Sequence, residues 1–173
     1  MTLKAKLENA QYSIRFGKSG DESAIHQAHM RSIREVCVRE HGPKEILGWG
    51  FRDLGERWVK ELQNNGKGCF IWVVVCEHSI HGYAFVQKQS DKQAYIAGLY
   101  LTPEVLGQGF GKHLMQLMLA AADDWAVDTV CLESSLTAHS FYKAFGFVDT
   151  GALEQKVING YAVSCIPMRY DID

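Results

Sequence analysis

Leu106-Gly107-Gln108-Gly109-Phe110-Gly111-Lys112 sets three glycines at alternate positions. Without Cβ atoms to crowd it, such a loop can turn successive backbone N–H groups toward one bound anion. The residues before it, Ala94-Tyr95-Ile96-Ala97-Gly98-Leu99-Tyr100-Leu101, read as a strand that Thr102-Pro103-Glu104 ends. After it, Leu114, Leu117, Met118 and Ala121 fall at helical spacing, which predicts a helix over 109–122. Strand, glycine loop and helix in this order bring unpaired N–H groups and the positive end of a helix dipole to one point, a setting that favours a pyrophosphate. His113 after Lys112 removes the magnesium-holding hydroxyl of a G-x-x-x-x-G-K-[ST] loop. The glycine spacing is not the G-x-G-x-x-G of a dinucleotide fold either. Alone, the run fits an anion cradle or a flexible turn.

A second segment decides between them. Thr129-Val130-Cys131-Leu132 is a short apolar strand, followed by Glu133-Ser134-Ser135-Leu136-Thr137-Ala138-His139-Ser140-Phe141-Tyr142 and, after two more residues, Phe145-Gly146-Phe147. Together the segments resemble the GCN5-related N-acetyltransferase (GNAT) family in a bacterial branch. The first signature, Q/R-x-x-G-x-G/A, is matched by Leu106-x-x-Gly109-x-Gly111. The second, N-x-x-A-x-x-F-Y-x-x-x-G-F, is matched by Ser135, Ala138, Phe141, Tyr142, Gly146 and Phe147. Leu106 stands where Gln or Arg is usual, and Ser135 where Asn is usual. Residues 41–49, 80–84 and 167–169 also look like family elements, so the resemblance covers one domain over residues 11–170.

The resemblance implies an α/β single-domain GNAT fold, with a mixed, mostly antiparallel sheet of about seven strands flanked by helices on both faces. It implies acetyl-CoA as cosubstrate and direct attack by an amine of an unidentified small-molecule or peptide acceptor. The CoA site would comprise Leu106, Gly107, Gln108, Gly109, Phe110, Gly111 and Lys112 for the diphosphate, with Ser135 on a pantetheine amide. Leu99 and Leu101 would offer main-chain N–H groups where the fourth and fifth strands separate. Tyr142 would protonate the departing thiolate. Relatives often carry a Glu on the fourth strand as base, but Tyr95, Ala97 and Leu99 supply none. Glu133 is then the nearest carboxylate, with His139 or a water chain as alternatives. A non-catalytic acyl-CoA-binding or protein-interaction module is the rival reading.

The remaining residues bound these expectations. At 173 residues, 47% hydrophobic and 22% charged, the chain suits one domain with a single core. A net charge of −2 argues against a broad nucleic-acid-binding face. No apolar run reaches membrane-spanning length, and Met1–Lys6 lacks a signal-peptide core, so a cytoplasmic protein is expected. A homodimer is compatible with all of this. Ser19 and Glu22 form a capping-box pattern that predicts a helix to about His41, stopped by Gly42-Pro43. A second helix is expected over 54–63, an apolar strand over 69–76 and a last strand over 162–170. The sets Cys76/His78/His81 and His26/His29 lack the ligands of a metal centre, and none is expected. The acceptor pocket is expected from the first two helices, residues 26–58, and a hairpin after the last helix, with His29, Arg34, Trp49 and Trp58 available. Glu35, Glu40 and Glu45 do not form the carboxylate cluster that a polycationic acceptor would need.

Overall fold

Cys69-Phe70-Ile71-Trp72-Val73-Val74-Val75-Cys76 is apolar along nearly its whole length because both faces of its strand are covered. Trp72 and Val74 point into a core closed by Leu114, Met115 and Met118 of one helix. Ile71 and Val73 point the other way, against Ile25 and Trp58. The computed structural model describes residues 12–172. The expected domain start at residue 11 and the reading of Met1–Lys6 lie outside them. The elements are β1 (Tyr12–Phe16), α1 (Glu22–Glu35), α2 (Pro43–Trp49), α3 (Arg57–Gln63), β2 (Cys69–Cys76), β3 (Ser79–Lys88), β4 (Gln93–Leu101), α4 (Phe110–Asp124), β5 (Thr129–Ser134), α5 (His139–Ala144), β6 (Val148–Asp149), β7 (Glu154–Ile158) and β8 (Tyr161–Asp171). The sheet runs β1-β2-β3-β4-β5-β8-β6, with β7 paired to β8. The described pairings are antiparallel except β4 with β5. No helix among the described residues is long and apolar enough to cross a membrane.

Two helical expectations need correction. Asp21, not Ser19, stands at the N-cap position of α1, and its carboxylate bonds no helix N–H but accepts from the Arg15 guanidinium at 2.6 Å and the Lys18 N–H at 2.9 Å. Glu22 accepts the Gly20 N–H instead of completing a capping box. The helix ends at Glu35, not near His41, and a short 3-10 turn (Cys37–Arg39) follows Val36. Gly42-Pro43 starts α2 rather than only stopping α1, since proline suits the first turn of a helix. The second helix begins at Arg57, later than the expected 54.

α2 and the β7–β8 hairpin cover one end of the sheet. The hairpin turns through Asn159-Gly160 with φ of 53° and 82°, the conformation a two-residue turn between twisted strands requires. Gly48 allows α2 to lie close against it, since a Cβ there would sit 2.7 Å from the Ile158 carbonyl oxygen.

Candidate active site

The glycine loop leads directly into α4. Gly107 and Gly109 take φ of 71° and 91°, which a side chain would resist, and Gly109 caps α4. The first helical bond runs from His113 N–H to the Gly109 carbonyl. Among the described residues, the N–H groups of 107–112 therefore have no backbone acceptor. Lys112 is exposed beside them, and Leu106 is 44% exposed at the loop's start. The loop is braced from α1: Arg31 donates to Glu104 at 2.7 Å and to Glu35 at 2.9 Å, while the Gln108 side chain donates to the Glu104 carbonyl. Bonding from Thr102 and then Arg31 holds the Glu104 carboxyl down at about 2.

Beyond the loop the sheet splits. β4 and β5 pair over Gln93–Tyr95 and Thr129–Cys131, and the register ends there. A register shift at Phe85/Val86 leaves Ala97 as an extra residue on β4, a bulge that bends the strand away. Thr102 N–H donates to the His81 carbonyl of β3, at 2.8 Å. Strand alternation then turns the amides of Leu99 and Leu101 away from β3, toward the gap. Two cavities meet in that gap. One, of about 180 Å³, is apolar and starts at Leu106, Gly111 and Phe141. The other, of about 250 Å³, lies under α2 and the hairpin. Leu99, Tyr100, Ser135, Ala138 and Tyr142 line both, so the two cavities adjoin along these residues.

Most of the expected residues meet along these cavities. Tyr142 of α5 is buried, edge-on to Phe141 and Phe147, and burial pushes its phenol pKa well above the ordinary tyrosine range. The Ser135 hydroxyl accepts the Ala138 N–H at 3.2 Å, so it also caps the turn into α5. Glu133 faces the larger cavity, with its carboxylate 2.7 Å from Lys156 Nζ of β7. His139 lines neither cavity; its ring lies 2.8 Å from Asp149 on the outer side of α5.

The acceptor wall differs from expectation. His29 and Trp49 line the larger cavity. Trp58 instead packs edge-on to Tyr83 in the core, and Arg34 donates to the Gly50 carbonyl beside an outer groove. His29 is buried, with Nδ1 3.2 Å from the Tyr83 hydroxyl. Desolvation, and then the positive charge of Arg52, hold its pKa well below the ordinary value. Glu35, Glu40 and Glu45 are spent elsewhere, on Arg31, on Thr137 and on the amides of Gly42 and Ser164. Arg52 and Arg57, inside the expected 26–58 stretch but not singled out there, also line the cavity, as do Tyr95 and Lys156. Of the histidines weighed as metal ligands, His81 packs edge-on to Tyr12, and His26 bonds the Arg52 carbonyl at 2.8 Å.

Comparison with known proteins fits this geometry. The Rhodopseudomonas palustris structure described as a GCN5-related N-acetyltransferase superposes with a TM-score of 0.77 at 16% identity, covering 92% of this chain and 95% of that one. The PaiA N-acetyltransferase of Thermoplasma acidophilum, in complex with coenzyme A, gives 0.70 at 13% identity, covering 93% and 99%. The putative acetyltransferase yncA of Salmonella typhimurium, with its cofactor acetyl-CoA, gives 0.69 at 17%, covering 94% and 95%. At these identities the likeness establishes the fold. No curated protein sequence matches the chain. The profile of the acetyltransferase (GNAT) domain matches residues 37–172, and the chain belongs to that acyltransferase family.

Proposed function

We propose that this enzyme transfers the acetyl group of acetyl-CoA to a primary amine by direct attack, within one domain over residues 11–170. The observation that carries the reading is the gap between β4 and β5, which joins a row of unpaired amides at 107–112 to the larger cavity. The residues present suit the cosubstrate. The amides of 107–112 face a diphosphate, with Lys112 beside them, while the apolar cavity from Leu106 and Gly111 accepts a pantetheine arm. Leu106 adds no charge there, so the main chain carries the phosphate contact.

The amine nitrogen attacks the thioester carbon, and the carbonyl oxygen gains charge that the amides of Leu99 and Leu101 stabilise. The carbon–sulfur bond then breaks, and Tyr142 gives its proton to the thiolate. The proton lost by the amine passes through water to Glu133, whose carboxylate is paired with Lys156. The proposed activity is expected in the cytoplasm, where acetyl-CoA is supplied. Release of free thiol from acetyl-CoA across a panel of amines, with CoA affinity measured by calorimetry, tests the reading. Association at millimolar CoA and turnover of at least one amine are expected. Failure of CoA to bind, or a crystal complex with CoA outside the gap, overturns it.

A further inference from the structure

Two guanidinium groups line the larger cavity with no carboxylate to balance them. Arg52 donates to the Trp49 carbonyl at 3.2 Å, and its terminal nitrogen lies 3.5 Å from His29 Nε2. Arg57 lies over the rings of Trp58 and Phe85, 5.7 Å from each centroid. Neither forms an ion pair among the described residues. The third cation, Lys156, is neutralised at 2.7 Å by Glu133, the one carboxylate lining the cavity among the described residues. His29, buried and neutral, adds no charge. The cavity is therefore positive within a chain whose net charge is −2.

An acceptor that brings only positive charge is repelled by such a wall. One that brings its own anion is attracted, because a guanidinium fork matches the paired oxygens of a carboxylate or phosphate. Building on the acetyl-transfer reading, we propose that the acceptor is a small primary amine that also carries an oxyanion, which Arg52 and Arg57 bind while the amine faces Tyr142 and Leu99. A volume of about 250 Å³ suits a molecule of amino-acid size. The same two charges lower the pKa of the bound ammonium and so enlarge the fraction of reactive free amine, which reduces the demand on Glu133. Arg52 also lines an outer groove with Arg34, so an arriving anion meets positive charge before it enters.

The test compares thiol release for free amino acids, their carboxamides, aminoalkyl phosphates and spermidine. Acids or phosphates should exceed the neutral amides by about tenfold or more in kcat/KM, with spermidine slowest. The carboxylate and phosphate arms identify the oxyanion. Arg57→Gln and Arg52→Gln should each raise KM for the preferred acceptor by about tenfold and bring the acid-to-amide ratio toward one. CoA affinity in each variant reports whether it is folded. Amides or spermidine matching the acids overturns the proposal, as does an equal loss of acid and amide turnover in both variants. Where no member is turned over, calorimetric titration of the same acids and amides into the CoA complex reads the preference, and equal affinity overturns it. If CoA itself fails to bind, the acetyl-transfer reading falls, while the same titration on the free protein still decides the anion site.

Discussion

Tyr142 and Glu45 show how one side chain's surroundings set its chemistry. Burial disfavours the charged phenolate, so Tyr142 stays protonated past its ordinary value of 10.0 and remains a usable acid. Tyr142→Phe should therefore lower kcat about a hundredfold with little change in CoA affinity. In the wild type, kcat should rise as the amine loses its proton and show no alkaline fall before about pH 10. Unchanged kcat in the variant, or a fall near pH 8, would remove the phenol from the reaction. Glu45 is the opposite case. Desolvation pushes its carboxyl up, but the amides of Ser164 at 2.6 Å and Gly42 at 2.9 Å win, and its pKa is lowered to about 2. A depressed carboxylate stabilises the fold fully above its ordinary 4.5, and that contribution drains away as pH falls toward 2. Glu45→Gln should cost about 1–2 kcal/mol at pH 7 and flatten the stability change between pH 4.5 and 2, read from urea midpoints. An unaltered pH slope would mean the carboxylate does not hold the turn to β8. The motif residues were legible at this scale because their spacing is fixed by the loop they build. Arg52 and Arg57 were legible only as part of the 26–58 stretch, since Arg52 stands in an aperiodic connection and Arg57 at the first turn of α3, and neither sits in a motif of fixed spacing.

Among the elements, long periodic segments were readable and helix ends were not. β4, α4 and β5 lie within a residue or two of expectation, because alternation and helical spacing are properties of the segment itself. α1 stops early where Val36, Cys37 and Val38, all weak helix formers, allow a tighter turn. That turn brings the His41 ring inward to accept the Leu136 N–H at 3.2 Å, a contact that no local pattern announces. α2 was hidden because Pro43 reads equally as an end and a beginning. Of the hairpin only the second strand was expected with limits, 162–170, although Asn159-Gly160 marks its turn. The glycine loop makes a prediction that belongs to this scale. Gly109 has φ of 91°, where a Cβ costs about 1–2 kcal/mol, so Gly109→Ala should distort the start of α4 and weaken CoA binding about tenfold. A Cβ at Gly111 would lie 3.4 Å from Phe141 and 3.5 Å from Leu101, ordinary contacts, so Gly111→Ala should fold normally and bind CoA within about threefold of wild type. Equal CoA affinity in the two variants would show that the loop conformation does not set the anion site.

Across the whole molecule, the sheet is two parts held by a short parallel seam. β1 to β4 form one antiparallel part and β5, β8 and β6 the other, joined where Gln93–Tyr95 meet Thr129–Cys131. A split sheet of this kind was legible in the order of strands and helices together with the family motifs, but the two adjoining cavities depend on how α2 and the hairpin close over it. A ligand in the gap touches both parts at once, with Leu99 and Leu101 on one wall and Ser135, Ala138 and Tyr142 on the other. It should therefore stabilise the molecule as a unit. CoA at one hundred times its Kd adds about 2.7 kcal/mol to unfolding, and for a domain of this size that raises Tm by roughly 5–10 °C. ATP can reach the amides of 107–112 with its phosphates but has no pantetheine arm for the apolar cavity, so at the same concentration it should raise Tm much less. Hydrogen exchange should locate the difference, with CoA slowing the amides of Leu99 and Leu101 and of the turn into α5, and ATP slowing the loop alone. Equal stabilisation by the two ligands would mean that the phosphate cradle acts without the gap, and that the seam does not open onto a pantetheine channel.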